Sequence, residues 1–266
     1  MTLFARCFLL VFCQLGVGGL VALAVPSFHE LERGYFKSSA GVFFSMALAG
    51  GGGTIYLWLT RDASGIGVAE VVLWAVCLPL YALYLSTLWG EAMIARARLF
   101  TATLATGTAA LLLSAADLVA PDHGVWMGIL AAIASLTSAG VLGSVAAGML
   151  IGHWYLIDPG MDIDPFHRCF RFFVWTLWIQ LVALVLVVLA TAASMGTGIL
   201  FDHGWLLALR IVLGPVAALA MAEMIRRVLA IPQTMAATGL FYIATLAVLV
   251  GELLGRYFMF RTSLPL

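Results

Sequence analysis

Residues Ala237 to Phe258 read ATGLFYIATLAVLVGELLGRYF, an apolar run broken near its end by Gly251-Glu252-Leu253-Leu254-Gly255-Arg256. A carboxylate and a guanidinium four residues apart point the same way from a helix. Extending that face backwards by threes and fours collects Thr245, Tyr242 and Thr238. One side of this helix is therefore expected to be polar for most of its length. Charges at membrane depth are costly and face a bundle interior or a water-filled cavity, which puts this helix in the middle of a bundle. Gly251 and Gly255, also four apart, admit close approach of a neighbouring backbone. The Glu252–Arg256 pair has two readings: an ion pair that locks helix packing, or a functional polar site.

The rest of the chain supports a membrane setting. Of its 266 residues, 64% are hydrophobic and only 10% charged, with a mean hydropathy of +1.10. Soluble domains carry roughly 25% charged residues, so most of this chain belongs in lipid. Formal net charge is zero, without a basic tract or acidic tail, which argues against nucleic acid as a partner. Cys7, Cys13, Cys77 and Cys169 are scattered among apolar neighbours. No Cys-x-x-Cys or Cys/His cluster appears, so neither an iron–sulfur cluster nor a zinc site is expected from these side chains. Arg6, the following apolar run and Ala22-Leu23-Ala24 resemble a secretory signal, but the stretch is read as a retained first membrane helix.

About 20 residues cross a ~30 Å hydrocarbon core. On that measure eight segments are expected to span, near residues 3–25, 38–60, 67–90, 99–118, 125–156, 170–195, 204–225 and 237–258. The expectation is an all-α, polytopic bundle of eight transmembrane helices forming one domain over 1–266. The fifth segment is overlong and must tilt or project. The loops after the odd-numbered helices hold Arg33 and Lys37, Arg96 and Arg98, Arg168 and Arg171, and Arg226 and Arg227. The other side has Arg6, Arg61, Arg256 and Arg261, with Asp62, Asp117, Asp122 and Asp202 interspersed. The positive-inside rule then places both termini outside, on the periplasmic face of a bacterial inner membrane. The four glycines Gly50 to Gly53 fit either a hinge or close packing. Pro79 and Pro215 are expected to kink helices three and seven.

Three constellations could carry chemistry. Glu70, Arg210, Glu252 and Arg256 fall in one outer layer when depth is counted at ~1.5 Å per residue. They form either a charge-balanced clamp between helices three, seven and eight, or a polar pocket for a quinone head group. On the opposite side, His29 and His153 are candidates for a haem-ligating pair. Both lie near helix ends, however, and Trp154 and Tyr155 beside His153 read as interfacial anchors. Asp162 and Asp164, in Asp158-Pro159-Gly160-Met161-Asp162-Ile163-Asp164-Pro165, read as a solvated turn rather than a metal site. Gln14 is the remaining mid-helix polar residue, expected to hydrogen-bond across helices.

Eight helices with both termini outside, Gln14 followed by Gly16, Gly18 and Gly19, and Gly251-Glu252-x-x-Gly255-Arg256 near the end resemble the NrfD/DmsC-type membrane anchors. The resemblance covers two short motifs and the topology. Where those anchors carry His-Leu-Gly-x-Pro after helix two, this chain has Leu59-Thr60-Arg61-Asp62-Ala63. The resemblance implies an integral membrane subunit of a respiratory oxidoreductase complex. Such a subunit docks partners that carry the redox centres and contacts quinone or quinol without haem of its own. It points to Glu252 and Arg256 as quinone-site residues, with Gln14 a further candidate. The chain lacks metal-ligand spacings and is not expected to be a complete oxidoreductase. Two other readings stand beside this one: a small proton-coupled transporter with the glycine run as its hinge, and a structural assembly subunit.

Overall fold

The computed structural model describes residues 3–60, 66–158, 160–196, 198, 204–231 and 233–265. Arg61, Asp62, Ala63, Pro159 and Asp202 lie outside the described residues. Among the described residues there are helices and no strands, and eight helices are long and apolar enough to cross a membrane. They are α1 (Leu3–Ala22), α2 (Arg33–Leu59), α3 (Val68–Thr87), α4 (Met93–His123), α5 (Val125–Ile157), α6 (Asp164–Ser194), α7 (Gly204–Leu229) and α8 (Thr234–Thr262). The all-α eight-helix bundle expected from the sequence is the observed fold.

The helices run further than the apolar segments do. Helices α2, α4 and α6 begin earlier and α7 ends later than hydropathy indicates, and the arginines assigned to loops lie on them. Arg33 and Lys37 are on α2, Arg96 and Arg98 on α4, Arg168 and Arg171 on α6, and Arg226 and Arg227 on α7. Hydropathy detects only the part of a helix that lipid surrounds, while its polar ends continue as helix into the interfacial layer. The connection from α4 to α5 is Gly124 alone, whose φ of 85° suits glycine.

The most buried spans are α1 and α5, and α8 packs on both; the final helix does not hold the middle alone. The glycines of α1 explain this. A Cβ on Gly18 would lie 1.7 Å from the Ala139 carbonyl oxygen of α5, and one on Gly143 1.9 Å from the Gly18 carbonyl carbon. Backbone therefore rests on backbone where α1 crosses α5, the close approach that small residues permit between membrane helices. The glycine run of α2 serves the same purpose. A Cβ on Gly50 would meet Cys13 N and Leu9 O at 2.6 Å, and one on Gly51 the Trp74 ring at 2.7 Å. Helix α2 passes through all four glycines unbroken, and Gly50, Gly51 and Gly53 are packing positions, while Gly52 meets only Leu48 of its own helix.

Pro79 lies inside α3, which runs as one helix from Val68 to Thr87. Pro215 does alter α7, where Val212–Val216 form a π turn. Proline lacks the N–H that would bond one turn back, and a widened turn absorbs the misfit. The π turn presents Gly214 to Gly251 of α8, where an added Cβ would lie 2.4 Å from the Gly214 Cα.

The two ends of the bundle are chemically distinct. At the end that carries the termini, Arg6 lies over the Phe260 ring at 4.8 Å, and His123 Nε2 is 3.4 Å from Thr262 O. At the other end Arg168 of α6 pairs with Glu30 of the α1–α2 loop, and Arg33 with Glu91. An aromatic cluster of Tyr155, Phe166 and Phe241 stacks just inside this second end, with ring centroids 5.3 and 5.6 Å apart.

Candidate functional site

Helix α8 carries its two charges into the protein interior. Glu252 is 4% exposed, Arg256 1%, and Arg210, arriving from α7, 5%. Arg256 Nη2 is 3.4 Å from Glu252 Oε2, and Arg210 Nη2 is 3.9 Å from Glu252 Oε1. The glycines of the Gly251-Glu252-x-x-Gly255-Arg256 motif make this possible. A Cβ on Gly255 would fall 1.3 Å from Arg210 Nη1, so the Arg210 guanidinium occupies the niche that a side chain would fill. Its Nη1 donates to the Gly251 carbonyl at 3.4 Å.

Two further helices complete the group. Gln180, on α6, donates through Nε2 to Glu252 Oε1. Ser138, on α5, accepts from Arg256 Nη2 at 2.9 Å and from Gln180 Nε2 at 3.3 Å. One turn away on α5, Gln14 Nε2 of α1 donates to Ser135 O at 3.1 Å and to Ser135 Oγ at 3.0 Å. Five helices thus converge on one buried polar layer. Ser135, Ser138 and Gln180 were not anticipated from the sequence. The available signal was Gln180 as the one amide within the apolar run of α6, together with the serines three residues apart on α5.

Among the described residues this layer sets two guanidiniums against one carboxylate. Each arginine in hydrocarbon costs roughly 2.5–3.5 kcal/mol even on the lenient insertion scale, so Glu252 is the residue that makes both tolerable. Three buried atoms here lack partners: Arg210 Nε, Arg256 Nε and Gln14 Oε1. Unpaired buried polar atoms are uncommon and point either to strain or to a guest.

Comparison with known protein families, with curated proteins and with solved structures yields no match. The site therefore has to be read from its own chemistry.

The expected four-membered layer divides in two. Glu70, 4% exposed, does not join Arg210 and Glu252. It lines a separate space of about 30 Å³ with Arg6, Cys13, Thr54, Ser114 and Phe260. That volume admits about two water-sized molecules. Depth counting along a helix says nothing of which way α3 is rotated. Trp74 of α3 packs on Gly51 of α2, and that contact turns the Glu70 face toward α1 and α4. The clamp between helices three, seven and eight is therefore a clamp of α5, α6, α7 and α8.

The polar stripe expected along α8 is also shorter than anticipated. Tyr242 is 43% exposed, outside the bundle, and the Thr238 and Thr245 hydroxyls bond the carbonyls of Thr234 and Phe241 in their own helix at 2.7 Å. At ~100° per residue Tyr242 lies about 80° round the helix from Glu252, whereas Thr238 and Thr245 stay within about 40° of it.

His29 and His153 are both exposed. His153 Nδ1 lies 3.5 Å from Tyr242 Oη on α8. No group of three or more His, Cys, Asp or Glu that could hold a metal occurs among the described residues. Asp158 Oδ1 accepts from Gly160 N at 3.1 Å and Asp162 Oδ1 from Asp164 N at 3.2 Å, the local hydrogen bonds of a turn. The four cysteines are free and buried.

Proposed function

We propose that this chain is a helical membrane subunit of an electron-transfer complex that contacts quinone or quinol and docks subunits carrying the redox centres. The observation that carries the reading is the buried Arg210–Glu252–Arg256 group with its unpartnered Arg210 Nε and Arg256 Nε. A quinone is a two-electron, two-proton carrier that presents two carbonyl acceptors on an apolar body. The donor set fits it: Arg210 Nε and Arg256 Nε would hold a carbonyl oxygen, and Glu252, held by Gln180 and Ser138, would take or return a proton. Gln14, with its Oε1 unpaired, adds an acceptor for a quinol hydroxyl. Glu70, in its small polar space beside Arg6, suits a relay between this layer and the termini end.

An apolar cleft of about 260 Å³ opens between α1, α5 and α6, lined by Val17, Gly140, Phe172, Thr176 and Ile179 among others. Thr176 is one turn from Gln180, so the cleft suits an isoprenoid tail close to the polar layer. By the positive-inside rule the arginine-rich end faces the cytoplasm, and both termini face the periplasm of a bacterial inner membrane. The glycine run offers no support for the transporter reading, since close packing against α1 and Trp74 accounts for Gly50 and Gly51.

The test is gentle-detergent purification of the native complex, followed by optical spectra, quinone extraction and quinol-linked turnover. Copurifying redox subunits, about one quinone per complex, and turnover lowered at least tenfold in an assembled Arg256→Gln complex are the expected results. A chain that purifies alone, binds no quinone and conducts protons in vesicles would replace this reading with the transporter.

A further inference from the structure

Near the arginine-rich end a groove of about 510 Å³ runs between α6 and α7, apart from the polar layer. Its floor is Phe170 and Val174 from α6 with Leu219 and Ala222 from α7. Two exposed indoles, Trp175 and Trp178, form one wall. Arg171, Glu223 and Arg226 ring the mouth. Glu223 is committed to its own helix, accepting from Arg226 Nε at 2.7 Å and from Arg227 Nε at 2.7 Å. Arg171 has no hydrogen bond or ion pair among the described residues. The rim therefore holds two guanidiniums, Arg171 and Arg226, and one carboxylate that Arg226 shares with Arg227 outside the groove.

We propose that this groove binds an anionic phospholipid of the leaflet at the arginine-rich end, its phosphate held by Arg171 and Arg226 and one acyl chain lying on Phe170, Val174 and Ala222. Arg171 is seven residues into α6 and Arg226 three residues from the end of α7. Both stand at the boundary between head groups and hydrocarbon. The planar guanidinium fork matches phosphate oxygens, and basic pockets between membrane helices on the cytoplasmic side are suited to anionic lipids. Trp175, one turn deeper, is near the level that amphipathic rings favour, and Trp178, about 10 Å deeper, walls the part of the groove where an acyl chain would lie. A protein helix is about 10–12 Å across with its side chains, so this volume admits roughly one turn of one. The groove is of the calibre of a chain, not of a helix. Its small floor residue, Ala222, is what keeps it open.

The experiment uses the full chain in detergent with equimolar phosphatidylglycerol and phosphatidylcholine, and native mass spectrometry counts the lipid retained. Wild type should retain phosphatidylglycerol at least tenfold over phosphatidylcholine. Arg171→Gln/Arg226→Gln should lose that preference. Ala222→Leu should lose the bound lipid with both arginines in place, and size-exclusion profiles establish that each variant is folded. Equal retention of the two lipids by wild type, or an unchanged preference in the arginine variant, overturns the site. Loss in the arginine variant with full retention in Ala222→Leu reduces it to surface charge and also overturns the groove.

Discussion

Replacing Glu252 with glutamine removes the one carboxylate shared by two buried guanidiniums while nearly preserving shape. A unit-charge pair at 4 Å is worth about 4 kcal/mol at an effective dielectric of 20, and Glu252 makes two such contacts, at 3.4 and 3.9 Å. Part of that is offset, because a carboxylate no longer has to be desolvated. Breaking a buried pair from one side costs about 3–5 kcal/mol. At about 2–4 °C per kcal/mol for a chain of this size, melting should fall by roughly 6–20 °C. Arg210→Gln leaves Glu252 and Arg256 matched one to one, so it should cost only about 1–2 kcal/mol, chiefly the bond to the Gly251 carbonyl. The double variant, with one stranded arginine instead of two, should melt above Glu252→Gln alone, a coupling of about 1–3 kcal/mol. The four free, buried cysteines provide the assay: a thiol-reactive fluorophore reports unfolding in detergent as they become accessible. Losses that simply add in the double variant would refute the shared-carboxylate reasoning. Coupled stability with unaltered quinol turnover would keep the ion pairs and reduce them to packing.

Other consequences follow from neighbouring features. Gly50→Ala should destabilise by about 1–3 kcal/mol or more through overpacking, since its Cβ would meet α1 backbone at 2.6 Å. Gly52→Ala, with only Leu48 Cδ1 at 3.9 Å, should be neutral or stabilise by up to about 1 kcal/mol; thiol-reactivity melts compare the two. The Arg168 guanidinium beside Glu30 holds that loop carboxyl below its ordinary value of 4.5. A depressed folded-state pKa adds stability above the ordinary value, and that stability is lost as pH falls through the folded one. The melting difference between wild type and Glu30→Gln should therefore be full at neutral pH and shrink in acid below about pH 4.5; a gap that widens on acidification contradicts the pairing. Reporter fusions at the C-terminus and in the α7–α8 connection should give opposite sidedness signals, and matching signals reject the orientation.

The sequence alone determined the helix count and the existence of a buried charged layer. Lipid offers no partner to a backbone amide or a charge, so each apolar run of spanning length had to be a helix. By the same logic, Glu252 and Arg256 four residues apart had to face protein. Gln14 was legible for the same reason and does bond across to Ser135. What the sequence did not hold was rotation. Glu70 faces a different space from Glu252, and Ser138 and Gln180 acquire meaning only once α5 and α6 meet α8. Those rotations are set where backbones touch, at Gly18 against Ala139, Gly50 against Cys13 and Gly251 against Gly214. A one-dimensional pattern records that a glycine is small but not which helix fills the space it leaves. The tertiary packing makes that choice, and with it decides that Arg210 lies over Gly255 and shares the carboxylate of Glu252.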